Sequence, residues 1–334
     1  MQLDVSTARE LMHSALGATG YAAEEAKAIA DHLIDCELRG LGYAGLARAV
    51  AIIQHDRRCG LQRRPITIVR ETPVSARIDG GDDLGYLVAN RATEIAIAKC
   101  ASSGIAVVGA SRTHFTGMYS YYLEKVAARG FVGMIAGSGP SMVAPYGATE
   151  PRFSTNPIAF GFPSADGVPV IWDISTSSTT HAEVLLAKRL GHSLPEGIGY
   201  DREGRATTEP GAVLEDGALS VWGGHRGSGL ALSVQLLAMM AGQTNVFGRG
   251  AEPADFGYLI IVIDPALLGP PQDFAHAVKE YCGSVREARP LDPAKPVRVP
   301  FDRSAEIRRQ TLKEDRIEVA DLVVKTLREM AAGR

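Results

Sequence analysis

The sequence predicts an α/β fold that lacks a Rossmann dinucleotide loop and is introduced by a helical N-terminal segment. Three observations carry this. Apolar residues recur at helical spacing over the first 58 residues, and apolar runs of strand length alternate with helical stretches from Ile66 to Ile263. No Gly-x-Gly-x-x-Gly follows a first strand, and no Gly-x-x-x-x-Gly-Lys-Ser/Thr occurs, which argues against a Rossmann unit and a P-loop.

Thr7 and Glu10 have capping-box spacing ahead of Leu11, Ala15 and Leu16, which predicts the first helix. Ala26, Ile29, Ala30, Leu33 and Ile34 form the stripe of a second that stops at Gly40; a third, with Leu46, Ala49, Val50 and Ile53 on one face, runs from about Gly45 to Gly60. The period then changes to two. Ile66 and Ile68, then Val74, Ala76 and Ile78, give two short strands, and residues 79–83 read as a Gly/Asp-rich turn. A helix over 84–101 leads to a strand at 105–109. The unit repeats as a helix at 119–128, strands at 131–136, 158–162 and 168–173, helices at 180–189 and 229–240, and a strand at 258–263. Residues 191–215, rich in Gly, Pro, Glu and Thr, read as a long excursion. A proline-rich stretch at 290–300 precedes an amphipathic last helix carrying Leu322, Val323 and Leu327.

The chain has 334 residues, 46% hydrophobic, with 36 glycines and a formal charge of −3. That excludes a disordered or collagen-like chain and disfavours nucleic acid as the main ligand. The basic pairs Arg57-Arg58, Arg63-Arg64 and Arg308-Arg309 are short and read as solvated surface. No apolar run reaches membrane-span length and the first eight residues are polar and of mixed charge, so a cytoplasmic protein without membrane contact is expected. Cys36, Cys59, Cys100 and Cys282 stand far apart and the eight histidines have no ligand spacing, so no metal is expected.

Three clusters have chemical potential. Residues 111–117 (Ser-Arg-Thr-His-Phe-Thr-Gly) follow the strand at 105–109, and His114, just past a strand's carboxyl end, is placed for proton transfer or is an ordinary polar histidine. Residues 173–181 (Asp-Ile-Ser-Thr-Ser-Ser-Thr-Thr-His) are dense in hydroxyls that suit a ribose or diphosphate, or simply cap the following helix. Residues 223–229 (Gly-Gly-His-Arg-Gly-Ser-Gly) open onto an apolar helix. Arg226 and the helix start there suit a phosphate or carboxylate, and equally suit a tight turn with a solvated arginine.

In this order and separation, together with Gly147-Ala148, Ser154-Thr155-Asn156-Pro157-Ile158-Ala159-Phe160 and residues 258–265, the clusters resemble the type 2 malate/L-lactate dehydrogenase family over nearly the whole chain. The resemblance implies a non-Rossmann, NAD(P)-binding mixed-sheet fold of the sulfolactate dehydrogenase kind. It also implies a homodimer and hydride transfer to or from a small 2-oxo acid, 2-hydroxy acid or cyclic imino acid. It divides the chain into a helical segment 1–62 contributing to the substrate site, a cofactor-binding body 63–265 and a C-terminal segment 266–334 packing back on the body. Carried over by position, His114 is the proton-transfer residue, and Phe115, Thr116, Gly117, Ser138, Asp173, Ile174, Ser175, Arg226 and Gly227 are cofactor contacts. Arg48 would hold the substrate carboxylate, with Tyr43, Thr155 and His181 on the substrate side; Arg303 or Arg112 suits a 2′-phosphate.

One departure matters. The family usually has Ser-His-Gly-x-x-Arg where this chain has Tyr43-Ala44-Gly45-Leu46-Ala47-Arg48, and the tyrosine frequent four residues later is Ile52. The lost polar pair disfavours ordinary malate or lactate chemistry; Tyr43 offers either a replacement phenol or a stacking ring. Residues 180–184 and 194–199, with Gly227-Ser228, look more like the Δ1-piperideine-2-carboxylate/Δ1-pyrroline-2-carboxylate reductases, which points to a cyclic imino acid and NADPH rather than NADH. A 2-hydroxy acid dehydrogenase is the alternative of the same class, and a binding protein that has lost catalysis is the alternative of another.

Overall fold

Three helices open the chain: α1 (Val5–Gly17), α2 (Ala23–Leu38) and α3 (Leu46–Cys59). The computed structural model describes residues 1–60, 63–243 and 255–333, so the expected boundary at 62 lies outside the described residues. Helix α1 starts earlier than the Thr7–Glu10 spacing suggests, because Asp4 is its cap: the carboxylate accepts the Thr7 backbone N–H at 2.7 Å. Between α2 and α3 the chain turns through residues 40–45. Glu37 reaches across this turn and accepts the Leu46 backbone N–H at 2.6 Å, doing for α3 what no N-cap side chain does.

Seven strands form the main sheet: β1 (Thr67–Thr72), β2 (Ser75–Leu84), β3 (Ile105–His114), β4 (Val132–Ser138), β5 (Ile158–Phe162), β6 (Val170–Ile174) and β7 (Phe256–Ile263). Their order is β1-β2-β3-β7-β4-β5-β6. The sheet is mixed: β2 and β3 run parallel across the crossover helix α4 (Gly85–Ser103), and the other neighbours are antiparallel. Helices α4 and α5 (Tyr119–Ala127) bury Val88, Ala92, Tyr122 and Leu123 against one face. Helix α8 (Gly224–Met240) sets Val234 on Ala136 and Ile158 at the other.

The structure moves two boundaries that matter for the site. Residues 79–83 are not a turn: β2 continues through them with a register irregularity between Asp79 and Asp83, and Gly81 there is left-handed at φ 67°. The irregularity costs β2 its ladder without ending it, so Leu84 still pairs with His114. Strand β3 therefore runs to His114, which is its last residue rather than part of a following loop.

The stretch 191–215 folds over α6 (His181–Leu190). It contains strand Gly199–Tyr200 and the short α7 (Pro210–Leu214), and packs Leu194 and Val213 with Val184. Strands Val143–Ala144, Ala218–Ser220 and Gly199–Tyr200 make a small second sheet.

Of the C-terminal segment, α9 (Pro271–Arg286) meets the body where Ala165 N–H donates to the Ala275 carbonyl. Helices α10 (Asp302–Glu314) and α11 (Asp321–Ala331) also lie against the N-terminal helices. Val323, Val324, Leu327 and Met330 of α11 complete the core of the N-terminal helices with Met12, Leu16 and Leu33, and Gln2–Leu3 pairs with Ile317–Glu318. The amphipathic α11 needs an apolar partner, and the N-terminal helices supply it instead of the sheet. Arg308 bonds Asp35 at 2.6 Å and Arg39 bonds Ser304 at 3.2 Å, which fixes α10 on α2. Among the described residues no helix is long and apolar enough to cross a membrane.

Candidate active site

A cavity of about 1140 Å³ opens between α3, the loops after β3, β4 and β6, the start of α6 and the start of α10. His114 ends β3 on its floor, 4% exposed. The chain turns sharply after it, with Phe115 left-handed at φ 53° and Gly117 at φ 79°. Two bonds lock that turn: Tyr122 donates its hydroxyl to the Thr116 carbonyl at 2.7 Å, and the Met118 N–H donates to His32 Nε2 at 3.0 Å. A Cβ on Gly117 would run into Tyr86 and His32, so the close approach requires glycine. Burial holds His32 well below the ordinary imidazole range, so it is the neutral acceptor this bond needs.

Arg48 projects from the first turn of α3. It is half-buried overall, but its Nη1 is fully buried with no hydrogen-bond partner, and its guanidinium lies 4.9 Å from the centre of the Phe115 ring. Arg48 lines the cavity, and a small movement of the side chain would present this unpaired N–H to an anionic ligand. His181 begins α6 behind the Thr180–Glu183 capping box. Its pKa is pushed down to about 4, first by burial and then by the Arg48 charge, so it faces the cavity neutral. Tyr43 also lines the cavity, its phenol pushed up by burial and by Glu183.

On the opposite wall, Asp173 accepts the Ser120 backbone N–H at 2.7 Å and so caps α5; enclosure outweighs that bond and raises its carboxyl to about 6. Ser175 and Thr176 both donate to the Thr155 carbonyl, at 2.9 and 3.0 Å, which fixes the Thr155–Asn156–Pro157 turn. Ser138 donates to Gln235 Oε1 at 2.7 Å. Arg303 stands exposed at the mouth in the first turn of α10.

The cavity thus gathers the sequence-predicted residues from Tyr43, Arg48 and His114–Gly117 through Ser138, Thr155 and Asp173–Ser175 to His181 and Arg303. It does not gather Arg226 or Gly227. Helix α8 begins at Gly224, five residues before the expected start, so the glycine cluster is its first turn rather than a loop. Arg226 is exposed outside the cavity lining, and Gly227 is buried where a Cβ would collide with the Trp222 carbonyl. Arg112 also lies outside, paired with Asp82 at 2.9 Å.

Sequence reasoning missed a second layer. Asp56 Oδ1 lies 3.7 Å from His114 Nε2 and 3.6 Å from His55 Nδ1, and the two imidazoles stack at 4.6 Å. Burial pushes the Asp56 carboxyl up, but the facing His114, His55 and Tyr21 outweigh it and hold it below the usual range. These donor atoms lie within 4.8 Å of one another, the one grouping among the described residues with metal-ligand composition. Arg48, Ile52 and Asp56 at four-residue spacing on one helix were the available signal.

A family model described as malate/L-lactate dehydrogenase matches residues 3–328. The chain belongs to the malate/L-lactate dehydrogenase family. It is 30% identical to the (2R)-3-sulfolactate dehydrogenase (NADP(+)) of Chromohalobacter salexigens over 99% of this chain and 98% of that one. It is 32% identical to the Δ1-pyrroline-2-carboxylate/Δ1-piperideine-2-carboxylate reductase of Pseudomonas syringae pv. tomato over 78% of each chain. The crystal structure of the Δ1-piperideine-2-carboxylate reductase from the same bacterium superposes with a TM-score of 0.86 at 28% identity, covering 99% of both chains. As a malate/L-lactate dehydrogenase family member the protein is an oxidoreductase with the mixed-sheet fold of that group. The cavity of this family member exceeds the roughly 300–1,000 Å³ of ordinary small-molecule sites, which fits an extended cofactor lying beside a small substrate.

Proposed function

We propose that the protein is an NAD(P)H-dependent reductase of a small cyclic imino acid of the Δ1-piperideine-2-carboxylate or Δ1-pyrroline-2-carboxylate type. The observation that carries this reading is that Arg48, whose buried Nη1 has no hydrogen-bond partner, lines the same cavity as His114: a carboxylate anchor and a proton donor share one chamber. A bound nicotinamide supplies the hydride. Arg48 holds the carboxylate, Phe115 and Tyr43 exclude water around the reacting carbon, and His114 delivers the proton to the ring nitrogen. An imine nitrogen is more basic than a ketone oxygen and so asks less of the acid that protonates it. Loss of the family's Ser-His pair at Tyr43-Ala44 is therefore tolerable for this substrate. The neutral His181 beside Arg48 adds hydrogen bonding without competing for the carboxylate.

Wild-type protein should oxidise NADPH with Δ1-piperideine-2-carboxylate, and His114→Ala should slow that turnover by about 10² to 10⁴. Unchanged turnover in the variant would remove His114 from its role.

A specific observation favours 2-oxo acid reduction as the second reading. Arg189 also lines the cavity, its guanidinium pushed down by burial and by Arg48, and two neighbouring cations suit a substrate with two anionic groups such as a sulfonated 2-oxo acid.

For the cofactor, Arg303 at the cavity mouth suits a 2′-phosphate and supports NADPH. A homodimer is supported by the exposed stripe Leu232, Leu236, Met239 and Met240 along α8. Placing glutamate at Leu236 and Met240 should yield a monomer in sedimentation; an unchanged dimer would move the interface elsewhere.

A further inference from the structure

The region behind His114 contains more than proton delivery by a lone histidine requires. Asp56 sits in the last turns of α3, 4% exposed. Its Oδ2 accepts the Tyr21 phenol at 2.7 Å, while its Oδ1 is buried with no hydrogen-bond partner. His114 Nε2 is likewise buried without one, and the two atoms face each other across 3.7 Å. Each alone is a costly unsatisfied group; together, one proton on Nε2 serves both after a small approach.

We propose that Asp56 is the positioning carboxylate of His114: it selects the Nε2–H tautomer, steadies the imidazolium, and leaves Nδ1 as the ring atom that exchanges a proton with the substrate. His55, stacked on His114 at 4.6 Å and 28°, holds the ring plane, and Tyr21 holds Asp56. The inference rests on His114 being the proton donor. In the step, the Nδ1–H bond breaks as the substrate N–H forms, the imine carbon would take the hydride that a bound nicotinamide supplies, and His114 is left neutral with its remaining proton on Nε2 against Asp56.

The charged groups around His114 are few. Helix α3 contributes Asp56 and His55, with Arg48 and Arg58 lining the same cavity. Strand β2 contributes Asp83, which accepts the Leu84 N–H at 2.7 Å and has Arg63 at 3.8 Å. Asp56 is the carboxylate within ion-pair distance of the His114 ring, and it is tied to Tyr21 rather than to an arginine. Arg63 stands 4.3 Å over the Tyr21 ring and His55 Nδ1 lies 3.6 Å from Asp56, so the carboxylate shares its field with these groups and acts on His114 through its short distance.

The test is ¹⁵N NMR of the histidines in the full-length protein, with His114 assigned by its loss in His114→Ala, together with the pH profile of kcat. In wild type the neutral form of His114 should carry its proton on Nε2. In Asp56→Asn the neutral form of His114 should shift toward Nδ1–H, with kcat down roughly 10- to 100-fold and nicotinamide affinity unchanged. A neutral His114 protonated on Nδ1 overturns the proposal without needing any variant to fold. So does an Asp56→Asn protein with unchanged His114 tautomer and turnover. Activity lost to a chelator and restored by zinc or cobalt also overturns it, because His55, Asp56 and His114 would then be ligands. If His114→Ala keeps full turnover, the proton-donor reading itself fails, whatever the tautomer.

Discussion

The Glu37 carboxylate accepts the Leu46 backbone N–H at 2.6 Å, tying the end of α2 to the start of the helix that presents Arg48. A Cβ on Gly45 would collide with the same side chain, so the turn carrying Tyr43 is shaped around it. Burial raises Glu37 to about 7, and the Leu46 bond only partly offsets that. The unfolded chain releases this proton near pH 4.3. Between there and pH 7 the folded protein binds more protons than the unfolded one, so Glu37 makes stability fall as pH rises through this window.

Glu37→Gln keeps an acceptor for Leu46 and removes the buried charge. It should raise stability at pH 8 by roughly 1–3 kcal/mol and leave stability at pH 4 little changed. Urea unfolding of both proteins at the two pH values checks this. An equal shift at both would mean that the charge is not what matters.

Arg48→Lys should weaken substrate binding because the single ammonium cannot reproduce a planar, bidentate fork. The expected result is a KM raised roughly 10- to 100-fold, with nicotinamide affinity within a factor of about two. Loss of cofactor binding instead would shift Arg48 to the cofactor side of the cavity.

Arg303→Ala tests the proposed reader of the 2′-phosphate. The arginine is exposed and stands in the first turn of α10, where the helix start adds to its positive potential. NADPH affinity should fall about tenfold and NADH affinity should hold. A parallel loss of both would assign Arg303 a general role at the mouth.

Much of this architecture was legible because it rests on local patterns. The three N-terminal stripes, the strand at Ile158–Phe162 and the alternation of strands and helices follow from periodicity alone. The failures came where tertiary context decided. A seven-residue stretch with four glycines, 223–229, reads as a loop, yet α8 starts inside it, with Gly227 fitting where a side chain would strike Trp222. Asp79–Asp83 has turn composition, yet pairing with β3 holds it in the sheet. The burial of Asp56 carries no signal in the sequence, because the residues that enclose it, Tyr21 and His114, are distant along the chain. The C-terminal helix had a clear apolar face, but periodicity cannot say which surface that face will cover.

The central claim is that the chamber between Arg48 and His114 reduces a cyclic imino acid. Steady-state kcat/KM for wild-type protein with NADPH, measured side by side for Δ1-piperideine-2-carboxylate, pyruvate, oxaloacetate and 3-sulfopyruvate, tests it most directly. The cyclic imine should exceed each 2-oxo acid by at least about tenfold, equivalent to ~1.4 kcal/mol in the transition state. Good turnover of an oxo acid with none of the imine would contradict the account.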